Sequence, residues 1–241
     1  ATRGGLAAAE ASFQRSLDAG QQPDVEAYNS LVHAAARASD LQAAEAWCER
    51  AARAGVERNV WTLNSLLNAA ARAGSLEAAE RHLQQALEEG LEPDIVTFNI
   101  MIRAAERSCG RAGAERWFER ALEAGVSPSL KTFGTLLRAA AKEANASAAE
   151  GWFQRALASG VEPDARAYDA LLDAAANSRD AAAAERCLRA FEEALEAGLQ
   201  PSRDSFTSLV AAAAQAGDLS AAERWLRRAE AVGAGVAARA L

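Results

Sequence analysis

Aromatic residues make up only 6% of this 241-residue chain, proline occurs five times, cysteine three times, histidine twice and methionine once. Cys48, Cys109 and Cys187 lie far apart and form no CxxC pair. That spacing excludes a disulfide framework and a zinc site and leaves them as reduced small residues of core or surface. His33 and His82 share no metal-ligand spacing with any Cys or carboxylate, so a surface or groove position is expected for each and no metal or other cofactor is implied. Positive charge is scarce too: the net charge is −7 and the isoelectric point near 5.1, so no cationic field draws in a nucleic-acid backbone over long range. A nucleic-acid ligand would need a local basic patch. No run reaches the ~18 consecutive apolar residues of a membrane span. The opening Ala1–Gly5 is no signal or transit sequence, which places the start of the chain inside the fold, with a leader or an earlier part missing. The glycines fall singly, so no phosphate-binding loop is present, and no Ser/His/Asp set is recognisable. Catalysis is not expected.

What the chain does have is helix formers in a fixed period. Half of its residues are hydrophobic, and its runs are of Ala, Leu, Glu and Arg. Gly55, Gly90, Gly125 and Gly160 are spaced by 35, and three places after each stands Arg58, Pro93, Pro128 or Pro163. Gly198 and Pro201 come 38 after their predecessors, so the fifth unit holds three extra residues, and Gly233 follows 35 after Gly198. Each unit opens with an aromatic or Leu (Tyr28, Leu63, Phe98, Phe133, Tyr168, Phe206). An aliphatic pair and an Ala follow at helical spacing, as in Leu66, Leu67 and Ala70. The second half of each unit carries an Ala-Glu pair and then a bulky couplet, as in Trp117-Phe118 and Trp152-Phe153. Trp47, Trp117, Trp152 and Trp225 share this phase and point to packing between repeats, with Trp61 the exception.

Gly ends the second helix, Pro blocks its continuation, and the Asp or Ser after Pro caps the next first helix. A lone hairpin cannot bury both faces, so the units must stack. The expected fold is all-α: a right-handed α-α superhelical solenoid of 35-residue helix-turn-helix repeats, with the first helices lining a concave side. Its divisions are a half repeat over 1–24, then repeats over 25–59, 60–94, 95–129, 130–164 and 165–202, and a last repeat with the C-terminal end over 203–241.

The run Pro-Asp-Ile-Val-Thr-Phe-Asn-Ile-Met-Ile (Pro93 to Ile102), with Glu-Ala-Gly-Val-Ser-Pro (Glu123 to Pro128), resembles the pentatricopeptide repeat family, and the resemblance runs nearly the whole chain. It implies an organellar protein of chloroplast or mitochondrion that binds single-stranded RNA, one base per repeat, for RNA processing, stability or translation. Catalytic members carry an appended domain, and this chain shows no HxE with CxxC pattern. The resemblance also implies that a residue near the start of each first helix and the last residue of the unit read a base together. Those pairs are Asn29 with Asn59, Asn64 with Asp94, and Asn99 with Ser129, then Gly134 with Asp164 and Asp169 with Ser202. The first three suggest pyrimidines, because a carboxamide presents both a donor and an acceptor. Bases would stack at Glu26, Trp61, Val96, Lys131, Arg166 and Asp204, where Trp61 and Val96 suit the purpose and Glu26 and Asp204 do not.

Arg37, Arg72, Arg107 and Lys142, spaced by 35, form a basic ladder placed to hold RNA phosphates. The same residues are equally what a helix C-terminus favours. Two partners remain open at this point: single-stranded, pyrimidine-rich RNA, or protein subunits of a large organellar assembly for which the chain is a scaffold.

Overall fold

The computed structural model describes residues 3–178, 180–196, 198 and 202–231, the side chains of residues 3, 4 and 203 excepted. Pro201 and Gly233 lie outside the described residues. Every regular element among the described residues is a helix, and the chain divides into two compact units. The first, Ala1–Ser127, holds α1 (Arg3–Asp18), α2 (Val25–Arg37), α3 (Leu41–Arg53), α4 (Val60–Ala73), α5 (Leu76–Glu88) and α6 (Ile95–Glu123). The second, Pro128–Leu241, holds α7 (Leu130–Lys142), α8 (Ala146–Ala158), α9 (Ala165–Asn177), α10 (Ala181–Glu196), α11 (Arg203–Gln215) and α12 (Leu219–Ala231). Within each unit a first helix packs on its own second helix and on the next first helix: α2 on α3 and α4, α4 on α5 and α6, α7 on α8 and α9, and α9 on α10 and α11. Each unit is a stack of helical hairpins.

The polar residues of the turns explain where the helices begin. Asp40, Ser75, Asn145, Asp180 and Asp218 each accept a hydrogen bond from the backbone N–H three residues on, at 2.9–3.1 Å, and so cap the second helices. Such bonds, with those from the Ser147 and Ser220 hydroxyls, hold the carboxyls of Asp180 and Asp218 below the usual range. Repeat 3 departs from this pattern. Gly110 stands where the others have a capping side chain, and the chain reverses there at φ 67° and ψ −159° within α6. A Cβ placed on Gly113 would lie 2.6 Å from the Cys109 Cβ and 2.9 Å from the Ala105 carbonyl oxygen. Ala105 and Gly113 would be about 12 Å apart along a continuous helix, so the close approach requires the reversal.

The aliphatic stripes of the first helices form the core. Leu31, Val32, Leu66, Leu67, Met101, Ile102, Leu136, Leu137, Leu171, Leu172, Leu209 and Val210 are all buried, each contributing about 2 kcal/mol by removal from water. The bulky couplets of the second helices meet this layer. Trp117, Trp152 and Trp225 are buried, whereas Trp47 is half-buried with its ring 5.2 Å from Phe13. Cys48 and Cys187 are buried in these layers, which pushes each thiol up to about 12, and Cys109 is exposed. The three extra residues of repeat 5 lengthen its second helix. α10 has 16 residues against the 13 of α8, and the buried side chains Phe191 and Ala194 continue its apolar stripe. Arg58, at the place held by Pro in the following repeats, is well covered and pairs with Glu89.

Candidate nucleic-acid interface

Every first helix starts on a residue with extended backbone whose side chain accepts from the third helical N–H. Asp24, Asn59, Asp94, Ser129, Asp164 and Ser202 fill this place. The last five are also the second members of the base-facing pairs suggested by the sequence, so each has a folding duty of its own. The fifth helical residue, one turn further in, is the first member of the next pair. In the first unit the structure brings Asn64 onto Asp94: Asn64 Nδ2 donates to Asp94 Oδ1 at 3.2 Å, and the Thr97 hydroxyl donates to Asn64 Oδ1 at 2.7 Å. Asn29 meets the Asn59 cap through Thr62, whose hydroxyl donates to Asn29 Oδ1 and lies 3.0 Å from Asn59 Oδ1. In the second unit Asp169 takes the same place, accepting from the hydroxyls of Ser202 and Ser205.

Burial of Asp94 opposes its charge. The Thr97 N–H, the Thr97 hydroxyl and the Asn64 amide outweigh it and hold the carboxyl below the usual range. Asn99 is partly buried on α6 of the first unit, and Ser129 caps α7 of the second. In repeat 4 Gly134 offers no side chain, and Asp164 accepts only the cap bond, from Ala167 N–H at 2.9 Å.

The second helical residues, proposed by the sequence for base stacking, are exposed throughout: Glu26, Trp61, Val96, Lys131, Arg166 and Asp204. Trp61 is 48% and Val96 47% exposed, unusual for large apolar side chains and compatible with a stacking partner. The Trp61 ring stands 5.3 Å from His33 on α2, which is exposed.

Arg37, Arg72, Arg107 and Lys142 are all exposed near the ends of their first helices. Arg72 is engaged: its Nη2 donates to the Arg37 carbonyl at 3.2 Å and its Nε to the Ser39 hydroxyl at 3.0 Å. That cation closes the C-terminus of the preceding first helix, a contact 35 residues away that the sequence reading did not include. Sequence reasoning passed over Arg103, on the same helical layer, whose guanidinium donates to Asn68 Oδ1 one repeat back at 2.9 Å. It also passed over the hydroxyls of Thr62, Thr97 and Ser205. The signal was a hydroxyl at the third helical residue of four first helices and Ala in the other two.

The second helices are knitted by polar contacts a repeat apart, a hydrogen bond between Glu45 and His82 at 2.8 Å and ion pairs of Glu150 with Arg186 at 2.7 Å and Glu192 with Arg224 at 2.6 Å. A recess of about 1000 Å³ between α3 and α5 is lined by Glu45, Cys48, Arg58, His82 and Glu89. Its charges pair with each other and converge on no ligand. Among the described residues no three His, Cys, Asp or Glu side chains cluster as metal ligands, and no helix is long and apolar enough to cross a membrane.

This geometry agrees with comparisons to known proteins. The pentatricopeptide repeat domain family matches residues 46–107, 88–143 and 152–209, and a single PPR repeat matches 204–233. No curated protein matches the chain. Among solved structures, maize pentatricopeptide repeat protein PPR10 in complex with an 18-nt psaJ RNA element aligns at TM-score 0.58 and 20% identity, over 99% of this chain and 40% of that one. The present chain thus spans well under half of that protein. The PPR domain of Arabidopsis thaliana protein-only RNase P 1 in complex with tRNA aligns at TM-score 0.60 and 19% identity, over 81% of this chain and 95% of that domain. Nuclear proteinaceous RNase P 2 of A. thaliana aligns at 0.58 and 20%, over 71% and 38%. At these identities the structures speak for the fold. The family matches cover well over half the sequence with the repeat itself, and the chain belongs to the pentatricopeptide repeat family.

Proposed function

We propose that this chain binds single-stranded RNA along the exposed N-terminal edge of its first helices, one nucleotide per repeat, without catalysing a reaction on it. The observation that carries this reading is the recurrent pairing across repeats. Asn29, Asn64 and Asp169 are each tied to the cap of the following first helix, beside exposed side chains suited to stack a base at Trp61 and Val96. Bound RNA in the PPR10 structure and tRNA in that of protein-only RNase P 1 support the same reading for a chain of this fold. The Asn-bearing repeats would favour pyrimidines, and the exposed Arg37, Arg107 and Lys142 would hold phosphates. Resemblance to the family supports work in chloroplast or mitochondrion, on the processing, stability or translation of a transcript.

The test is binding of labelled pyrimidine-rich and purine-rich single strands across a salt series. The pyrimidine strand is expected to bind more tightly, with a log–log salt slope of about −0.7 for each phosphate held. Arg37→Ala should make that slope shallower by about one such contact. Absence of binding at low salt, or a flat slope, overturns the RNA reading. It leaves the scaffold for protein subunits, which the net charge of −7 and the exposed Glu26 and Asp204 would suit.

A further inference from the structure

The third residue of each first helix divides the repeats into two kinds. Thr62, Thr97, Thr132 and Ser205 carry a hydroxyl there, and Ala27 and Ala167 do not. A hydroxyl at this place completes a reciprocal capping box with the cap residue, as at Asn59–Thr62, Asp94–Thr97, Ser129–Thr132 and Ser202–Ser205. Capping alone would be served equally well in all six helices. The distribution follows something else. Thr62, Thr97, Thr132 and Ser205 each come after a repeat whose base-facing residue has a polar side chain: Asn29, Asn64, Asn99 and Asp169. Ala167, in turn, comes after Gly134, which has no side chain to hold.

The geometry supplies the reason. Thr97 is fully buried, and its oxygen accepts from the Asp94 backbone N–H at 3.2 Å, which leaves its proton to donate. Two acceptors share that proton, Asn64 Oδ1 at 2.7 Å and Asp94 Oδ1 at 2.9 Å, and Asn64 is the nearer. Thr62 is arranged alike, accepting from the Asn59 N–H at 3.5 Å and donating to Asn29 Oδ1. Ser205 accepts from the Ser202 N–H at 2.9 Å and donates to Asp169 Oδ1. A carboxamide presents an acceptor on one side and donors on the other, and a half-turn exchanges them. With its oxygen held by a buried hydroxyl, Asn29 keeps its N–H groups for other partners, while Asn64 gives one N–H to Asp94 and keeps the other.

We infer that this hydroxyl is a specificity-determining positioning group: it fixes which hydrogen-bonding edge the preceding repeat's base-facing residue shows to the RNA. The inference rests on the RNA reading above. Asn64 has a second restraint in the Asp94 carboxylate, which accepts only and draws the amide nitrogen toward itself. Asn29 is held by the Thr62 hydroxyl, since the Asn59 cap is itself a carboxamide. The hydroxyl therefore matters more in repeat 1 than in repeat 2.

The experiment measures binding of synthetic single-stranded RNAs varied through all bases at one position at a time. Thr62→Val is expected to lower base discrimination opposite repeat 1 by about fivefold or more, Thr97→Val to lower it less opposite repeat 2, and Thr62→Ser to keep it. Both Val variants lose the same arm of a capping box, so a purely structural role moves both alike and alters no base preference. A gain-of-function pair needs no weakened fold. Gly134 is helical, and a Cβ there meets only Arg138 Nη1 at 3.7 Å, so Gly134→Asn is accommodated and rebuilds, with Asp164, the pairing of Asn64 with Asp94. Gly134→Asn with Ala167→Thr should create a preference opposite repeat 4 that Gly134→Asn alone creates only weakly. Equal preference with and without Ala167→Thr, or unchanged preference in Thr62→Val, overturns the inference while leaving the RNA reading in place. Absence of binding by the wild-type chain removes both.

Discussion

Repeat 2 in the first unit and repeat 4 in the second bury the same stripe: Leu63, Leu66, Leu67 and Ala70 in one, Phe133, Leu136, Leu137 and Ala140 in the other. Their polar edges differ. Repeat 2 shows an amide locked between a carboxylate and a hydroxyl, while repeat 4 has Gly134 and Ala167 at the corresponding places. Under the proposed RNA binding, packing and recognition would sit on different residues of one helix, and a repeat that lost the second while keeping the first would be a spacer, holding its neighbours at the right separation without choosing a base.

The sharpest way to break this comparison is through the cores. Leu67→Ala and Leu137→Ala should each cost about 2–5 kcal/mol in denaturant unfolding. Similar costs in the two would bear out equal packing, and a much cheaper Leu137→Ala would make repeat 4 degraded throughout. Next comes the edge. Asn64→Ala should remove about 1–3 kcal/mol of discrimination at one nucleotide, and Gly134→Ala should remove none, as read by competition binding. Glycines within the second helices give a smaller contrast. Gly113→Ala forces a Cβ against the Ala105 carbonyl and should cost about 1–3 kcal/mol. Gly151→Ala, with open space around its Cβ in α8, should raise stability by about 0.5–1 kcal/mol in the same melts.

The smallest effect is on pH. The folded-state pKa of Asp94 lies below its ordinary value of 3.8, so its contribution is present above that value and is lost as pH falls through the folded one. Because this carboxylate is exposed, the change should stay under about 1 kcal/mol. Asp94→Ala should flatten that part of the acid-unfolding curve.

The period, the helices and the caps that follow Pro were legible in the sequence because each follows from local chemistry. Gly ends helices, Asp and Ser start them, and apolar spacing marks the buried face. The proximity of Asn64 to Asp94 was legible only through resemblance to the family. Residues 30 apart come together through superhelical stacking, which one repeat does not encode. Thr97 was missed because a buried Thr reads as an ordinary capping-box residue until its hydroxyl is seen on Asn64. Arg72 looked like one rung of a uniform ladder, yet its bonds to the Arg37 carbonyl and Ser39 depend on a neighbour 35 residues away. At Gly110, the reversal within α6 goes with a glycine replacing a cap, a substitution that the period alone passes over.

The longer α10 sets a rule for how an array of this kind tolerates inserted sequence. Three residues add about 4.5 Å and most of a turn, so the stripe leading to Phe191 and Ala194 stays on the buried side. An insertion of one or two residues would swing that stripe toward water. Length variation among the second helices of related chains should therefore come in steps of three or four residues, a kind of reading frame imposed by the helix on its gene.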